Sequence, residues 1–174
     1  MWRTFAHVTL NKLAGQVGLS YHAGNFLAGP YLSGHYRNRW MSLEISGINP
    51  PCLRIAMSVS NVANLSLKVT NQSIFNQFEQ SLGLAVRTGD NEFDRGFAVS
   101  GRPIVFARQL SSSATLRRRL SQCYGLTIRL TAEKLRLVGW ASYLADTPYM
   151  LHLFNLMDIL AKAVESYQTD GEKR

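Results

Sequence analysis

Alternation of apolar and polar residues is the feature that most limits how this chain can fold. In CLRIAMS, residues 52–58, every second side chain is apolar, and the same period returns in NLSLKVT, residues 64–70. Successive side chains of a β-strand point to opposite faces, so this period predicts strands with one buried and one exposed face. Asn61 to Asn64 provide a turn between the two segments, and we expect a hairpin.

Further segments carry the same signal. LSGHYRNRWMSLEI, residues 32–45, predicts a hairpin that turns near Asn38, because asparagine tolerates positive φ better than most residues. LTIRLTAEKLRLVGW, residues 126–140, predicts a second hairpin with Thr131 to Lys134 at its turn. GLAVRTG and FAVSG predict two short strands, at residues 83–89 and 97–101.

Apolar residues recur at helical spacing elsewhere, and glycine, serine and proline mark where those segments begin or end. The expected helices are Trp2 to Gly18, Asn71 to Gln80, Pro103 to about Tyr124 with a break at Ser111–Ser113, and a last helix from Pro148. Strands joined by short hairpins favour an antiparallel sheet with helices on one face. We therefore predict an α+β domain over residues 1–168, with six to eight strands, an N-terminal helix, a middle helical segment and a C-terminal helix. Residues 169–174 are predicted to be a polar tail.

Composition narrows the class of protein. Hydrophobic residues make up 46% of the 174 residues and charged residues 17%, as in globular domains rather than disordered chains. No run of 18 apolar residues is present, and the N-terminus lacks the apolar core of a signal peptide. We expect a location in the cytoplasm or at the cytoplasmic surface of a membrane. Cys52 and Cys123 are too few for a disulfide framework, and both are interpreted as small buried hydrophobes.

Three carboxylates at alternate positions form a candidate metal or hydrolytic site. In a strand they would share one face and could hold a hard cation. The pattern departs from a calcium loop, since Arg95 and Gly101 replace the required glycine and glutamate. We favour a polar turn that leads into a strand whose phenylalanines enter the core. The three candidates are Asp90, Glu92 and Asp94.

Histidines offer a weaker alternative. His22 and His35 flank the glycine-rich loop, and together with Glu44 they could form an acid–base group if the fold brought them together. No pair has the spacing of a helical metal site, and no nucleophile motif or phosphate-binding glycine loop is present. We expect no cofactor.

Basic residues exceed acidic ones and give a net charge of +8, which attracts polyanions without specifying which. Arg37 and Arg39 stand at the tip of the first predicted hairpin, beside Tyr36 and Trp40. A second group lies on the predicted middle helix, on the side opposite Leu116, Leu120 and Cys123; it consists of Arg117, Arg118 and Arg119. Arginine beside aromatic rings suits phosphate or single-stranded nucleic acid, so these five arginines are candidate polyanion contacts.

Two segments taken together resemble a family. LSGHYRNRWMSLEI resembles a G-x-Y-R-G-R hairpin, and DNEFDRGFAVSGRP, residues 90–103, resembles a D-x-E-F-D-R-x-F-x-V strand that leads into a helix. In this order the chain is similar to a family of uncharacterised bacterial proteins with no assigned activity. Asn38 stands where the family usually has glycine, and Gly96 stands where the family often has arginine. Members often carry a membrane helix ahead of this domain, which implies that this chain is a shortened form or a variant without the anchor.

No constellation satisfies the requirements of an active site, and so we favour a non-enzymatic module. Its expected partner is another protein or a membrane surface. The alternatives are binding of nucleic acid or another polyanion through the arginines, and metal binding or hydrolysis through the three carboxylates.

Overall fold

Strands occupy most of the segments in which apolar and polar residues alternate. The computed structural model describes residues 2–24, 29–46, 51–71 and 85–171, and side chains from Phe5 to Tyr167 within those ranges. Eight antiparallel strands form one sheet, as predicted for an α+β domain. The strands are β1 (Ser20–His22), β2 (Tyr31–Tyr36), β3 (Arg39–Ser46), β4 (Cys52–Ser58), β5 (Ser66–Asn71), β6 (Phe97–Arg102), β7 (Thr127–Thr131) and β8 (Lys134–Trp140).

Helices lie at the N-terminus, in the middle and at the C-terminus, as predicted. Ser113 separates the two middle helices by accepting a hydrogen bond from the Leu116 amide at 3.3 Å, which is the N-cap that the serine run indicated. The helices are α1 (Trp2–Val17), α2 (Asn91–Gly96), α3 (Ile104–Ser112), α4 (Ala114–Ser121) and α5 (Thr147–Gly171), with a 3₁₀ turn at Ala141–Ala145.

The order of strands in the sheet is β1-β2-β3-β4-β8-β7-β5-β6. Its register aligns apolar side chains in rows on the inner face, which α5 and the other helices cover. Each such side chain contributes at most about 1.5–3 kcal/mol by leaving water. The row across the six central and outer strands consists of Leu43, Ile55, Leu137, Ile128, Val69 and Val99, all buried.

The β2–β3 hairpin turns where the sequence predicted. Arg37 and Asn38 both have positive φ, at 50° and 67°, which is the backbone of a two-residue type I′ turn. Beyond the turn, Tyr36 packs edge-on against Phe154 of α5 with ring centroids 5.7 Å apart. The hairpin tip is therefore held against the C-terminal helix.

The predicted pairing of β4 with β5 is wrong. A turn is present at 61–64, but β8 and β7 lie between the two strands. Asn61 explains the turn without a hairpin: its buried side chain bonds the Leu65 amide and carbonyl, and also the Ala132 carbonyl in the β7–β8 turn. The β7–β8 hairpin carries its own alternating apolar face, and it inserts between β4 and β5.

The strand arrangement that would place Asp90, Glu92 and Asp94 on one face is wrong, because Asn91–Gly96 is helical and the strand predicted at 97–101 begins only at Phe97. Asp90 is the N-cap of α2, and its carboxylate accepts a hydrogen bond from the Phe93 amide at 3.1 Å. Phe93 and Phe97 stack at 5.3 Å and are buried, so the prediction that the phenylalanines enter the core is confirmed. Acidic residues in the first turn of a helix are stabilised by the unpaired backbone amides of that turn. In this segment that preference for a helix outweighs the strand that the alternating carboxylates suggested.

Other boundaries differ in smaller ways. β1 was not predicted, because its three residues are too few to show a period. The last helix extends to Gly171, three residues into the predicted polar tail, since no helix breaker precedes that glycine. Val86, in the predicted strand at 83–89, forms a single bridge to Val99. The predicted helix beyond Asn71 falls on residues 72–80, which lie outside the described residues, as do 172–174.

Candidate functional site

Two of the three carboxylates near α2, Asp90 and Asp94, stabilise the local fold, and the third is exposed. Asp94 accepts hydrogen bonds from the Thr88 amide and hydroxyl, at 3.1 and 2.8 Å, and from the Gly89 amide at 3.2 Å. Asp90 caps the helix and lies 3.3 Å from the guanidinium of Arg117. Glu92 is exposed. Helical geometry thus separates three side chains that a strand would have placed on one face.

Metal-binding geometry is not found at this point or at others in the described chain. Across residues 2–24, 29–46, 51–71 and 85–171, no three His, Cys, Asp or Glu side chains are grouped so that they could hold a metal ion.

The histidine pair does not form. His22 stacks on Tyr31 at 4.4 Å and bonds the Ser33 hydroxyl at 2.9 Å. His35 lies four residues along β2 from Tyr31, the residue that pairs with His22, and meets Trp40 edge-on. That offset corresponds to about 13 Å along the strand. Glu44 instead faces Arg54 across β3 and β4 at 3.8 Å.

Arg37 and Arg39 reach from the hairpin tip to carboxylates of α5. Their guanidiniums lie 2.9 and 2.6 Å from the two oxygens of Asp158, whose side chain is 1% exposed. Arg39 also forms a bidentate pair with Glu165, and Lys162 reaches Asp158 at 2.9 Å. The two hairpin arginines are therefore paired with carboxylates of the fold, although the Arg37 side chain is still 50% exposed.

The charge of Asp158 depends on those partners. Burial alone raises the pKa of a carboxylate, since it penalises the charged form. Hydrogen bonds from Lys162 and Arg37 outweigh burial and hold the pKa of Asp158 below its ordinary value. The buried group is thus ionised at neutral pH, and its cations are required to keep it so.

The three arginines of α4 differ in how far they are buried. Arg117 donates to the Ser111 and Ser112 carbonyls at 2.8 and 3.0 Å, in addition to its contact with Asp90. Arg117 and Arg119 are half-buried, and only Arg118 has the outer position predicted for all three. The five candidate arginines therefore lie at two separate places and do not form one surface.

The two cysteines are free. Burial raises the pKa of the Cys123 thiol to about 12, so this group is protonated at neutral pH and is no nucleophile. The prediction of a buried hydrophobe is confirmed for Cys123, whereas Cys52 is half-buried on the outward side of β4.

A cationic surface that the sequence argument missed lies on the outward side of β3, β4, β8 and β7, which we call the open face. The residues that alternate with the buried rows point there and are exposed or half-buried. At these outward positions the only carboxylate is Glu44, which pairs with Arg54. The cations of the open face are Arg54, Arg129, Lys134 and Arg136.

The strand register brings like charges together on the open face. Arg136 of β8 lies directly opposite Arg129 of β7. Directly opposed side chains have Cβ atoms about 4.5–5.5 Å apart, and like charges at that spacing destabilise a sheet.

Two tryptophans lie at opposite ends of the open face. Trp40 is 51% exposed and aligns with Ser58 of β4, whereas Trp140 is 48% exposed and aligns with Cys52. The six-residue offset between them on β4 corresponds to about 20 Å. Val138, 41% exposed, adds an apolar side chain between Trp140 and Arg136. The open face thus has a cationic centre and aromatic ends.

None of the helices among the described residues is both long and apolar enough to cross a bilayer.

Comparison with known proteins identifies a fold but no family. No protein-family model and no curated protein matches the chain. Among solved structures, the crystal structure of the mycobacterial trehalose monomycolate transport factor A, TtfA, is similar, with a TM-score of 0.58 over 88% of this chain and 90% of that one. The two sequences are 10% identical, so the similarity shows a shared fold alone. The resemblance to an uncharacterised bacterial family stays a prediction.

Proposed function

We propose that this chain is a non-enzymatic module that binds an anionic membrane surface with the open face of its sheet. The observation that carries the proposal is the grouping of four exposed cations on the side of the sheet opposite the helices. Among the described residues, Glu44 is the one carboxylate at the outward strand positions there, and Glu133 lies in the adjacent β7–β8 turn. Each Lys or Arg near an anionic leaflet contributes about 1 kcal/mol of attraction.

The aromatic residues favour a membrane over unpaired nucleic acid. Single-stranded nucleic acid requires rings beside the cations, so that successive bases can stack. Here the uncharged outward neighbours of Arg129 and Arg136 are small or β-branched, such as Ala56 and Thr131, and the tryptophans lie at the ends of the face. Tryptophan at the rim of a cationic surface suits the headgroup region, where an amphipathic ring is stable.

The structural neighbour supports a binding role in a limited way. That protein is named as a transport factor rather than as an enzyme, and its fold extends over most of both chains. We therefore infer that a protein with this fold can have a non-enzymatic function, and we infer no other property of this chain from the neighbour.

Sedimentation with vesicles tests the proposal. The purified chain should bind phosphatidylserine–phosphatidylcholine vesicles, should not bind pure phosphatidylcholine, and should be released as salt is raised from 50 to several hundred millimolar, because surface charges are screened. Single-stranded RNA, duplex DNA and an acidic polypeptide serve as competitors. Failure to bind anionic vesicles at low salt would overturn the proposal, and tight binding to one of the competitors instead would assign the open face to that polyanion.

A further inference from the structure

The turn between β7 and β8 forms one wall of an open depression of about 480 Å³ at the edge of the open face. The depression is lined by cationic, hydroxyl and amide side chains, with a single carboxylate among them. These side chains belong to two separate parts of the chain, the β7–β8 hairpin and the connection after β4. The lining residues that matter are Asn64, Thr131, Glu133, Lys134 and Arg136.

The walls of the depression are fixed in place. The Asn61 side chain donates to the Ala132 carbonyl at 2.7 Å and to the Leu65 carbonyl at 2.8 Å, and it accepts from the Leu65 amide. The Val59 amide donates to the Glu133 carbonyl at 3.0 Å. Two connections that are about 70 residues apart in sequence are thereby joined, so a ligand would meet a site that is already formed.

The donors suit a phosphate group. Lys134 and Arg136 are two residues apart on β8 and share its outward side, and Thr131 lies directly opposite Lys134. An ammonium, a guanidinium and a hydroxyl from two neighbouring strands thus line the same depression. Arg129, directly opposite Arg136, adds a further positive charge nearby. Guanidinium and ammonium groups form their strongest hydrogen bonds with anionic phosphate oxygens.

We propose that this depression, which we call the turn site, binds a phosphate monoester. A monoester carries about −1.5 to −2 charges at neutral pH and presents three acceptor oxygens, which matches the donors present. A phosphodiester has one charge and two free oxygens. The membrane source of the ligand, a monoester headgroup such as that of phosphatidic acid, rests on the proposed function; a soluble phosphate metabolite has the same chemistry.

Glu133 provides an internal check on this assignment. Its carboxylate is the acidic member of the lining, and it is exposed at the tip of the turn. Its charge opposes an anionic ligand, so Glu133→Gln should strengthen monoester binding by a few-fold. A site for a cation or for a neutral sugar would respond in the opposite direction or not at all.

A titration followed by backbone amide chemical shifts tests the turn site in solution. Glycerol 3-phosphate is the monoester probe and glycerophosphocholine the diester. We expect shifts centred on residues 131–136 with the monoester alone, and roughly tenfold weaker binding in Lys134→Gln and in Arg136→Gln, each of which loses one charged hydrogen bond. Arg118→Gln, which removes an exposed charge on α4 outside the open face, is the matched control. Equal shifts with both probes, or shifts located elsewhere, would overturn the turn site.

Vesicles then identify the source of the ligand. Phosphatidic acid and phosphatidylserine vesicles are compared at equal surface charge. Stronger binding to phosphatidic acid that disappears in Lys134→Gln supports a lipid monoester. Equal binding to both vesicles overturns the headgroup assignment while the membrane proposal stands. Binding of glycerol 3-phosphate without binding to any vesicle supports the turn site as a metabolite site and contradicts the membrane proposal.

Discussion

Replacing Arg37 and Arg39 together by alanine is expected to lower the free energy of unfolding by about 3–5 kcal/mol. Asp158 has a side chain that is 1% exposed, and the double variant removes two of its three cationic partners. The remaining partner, Lys162, is 61% exposed and offsets the buried charge only in part. Urea denaturation followed by circular dichroism measures the change.

A third substitution separates charge from packing. Adding Asp158→Asn to the double variant removes the uncompensated negative charge, so stability should partly recover. The same substitution in the unaltered protein should destabilise it, because there it breaks hydrogen bonds that are satisfied. If Asp158→Asn lowered the free energy of unfolding equally in both backgrounds, the ion pairs of Asp158 with the hairpin arginines would not be the cause of the stability that the hairpin gains from α5.

Neutralising three cations of the open face should weaken binding to anionic vesicles by about 100-fold. The estimate assumes about 1 kcal/mol for each cation near the surface, or about 3 kcal/mol in all. The substitutions are Arg54→Gln, Arg129→Gln and Arg136→Gln, and the measurement is the partition coefficient at low salt. Little change in stability is expected, since all three side chains are exposed.

Two controls accompany this variant. Arg118→Gln removes an exposed charge on α4, outside the open face, and should leave binding within about twofold. Arg136→Glu replaces a repulsive pair with an attractive one opposite Arg129, so it should stabilise the fold by up to about 1 kcal/mol while it weakens vesicle binding. If Arg118→Gln weakened vesicle binding as much as the single substitution Arg54→Gln, net charge alone, and not the open face, would attract the membrane.

The strands could be predicted from sequence because burial imposes a period of two. Residues such as Ile55, Leu137 and Ile128 recur at alternate positions, and each lies in the core. Strand order could not be predicted in the same way. The turn at 61–64 has the residues of a hairpin turn, yet β4 pairs with β8, since the apolar face of a distant hairpin fits between the two strands. The local sequence determines that a turn forms, whereas packing across the whole sheet determines which strands pair.

The candidate site was missed for a related reason. Arg54, Arg129 and Arg136 occupy the polar positions of alternating segments, where each residue on its own is an ordinary exposed charge. Their grouping depends on strand neighbours that only the topology supplies. Arg37 and Arg39 are conspicuous in sequence because they flank a turn, but the carboxylates that bind them lie about 120 residues away on α5.

Quenching of tryptophan fluorescence by brominated lipids tests most directly whether the open face meets the membrane. Variants that keep Trp40 or Trp140 as the single tryptophan, with phenylalanine at the other two positions, are mixed with anionic vesicles that contain brominated acyl chains. Both tryptophans lie on the open face, and so both should be quenched, and the quenching should disappear in high salt. Vesicle binding with unquenched fluorescence from both variants would contradict the account, since it would place the bilayer on another side of the molecule.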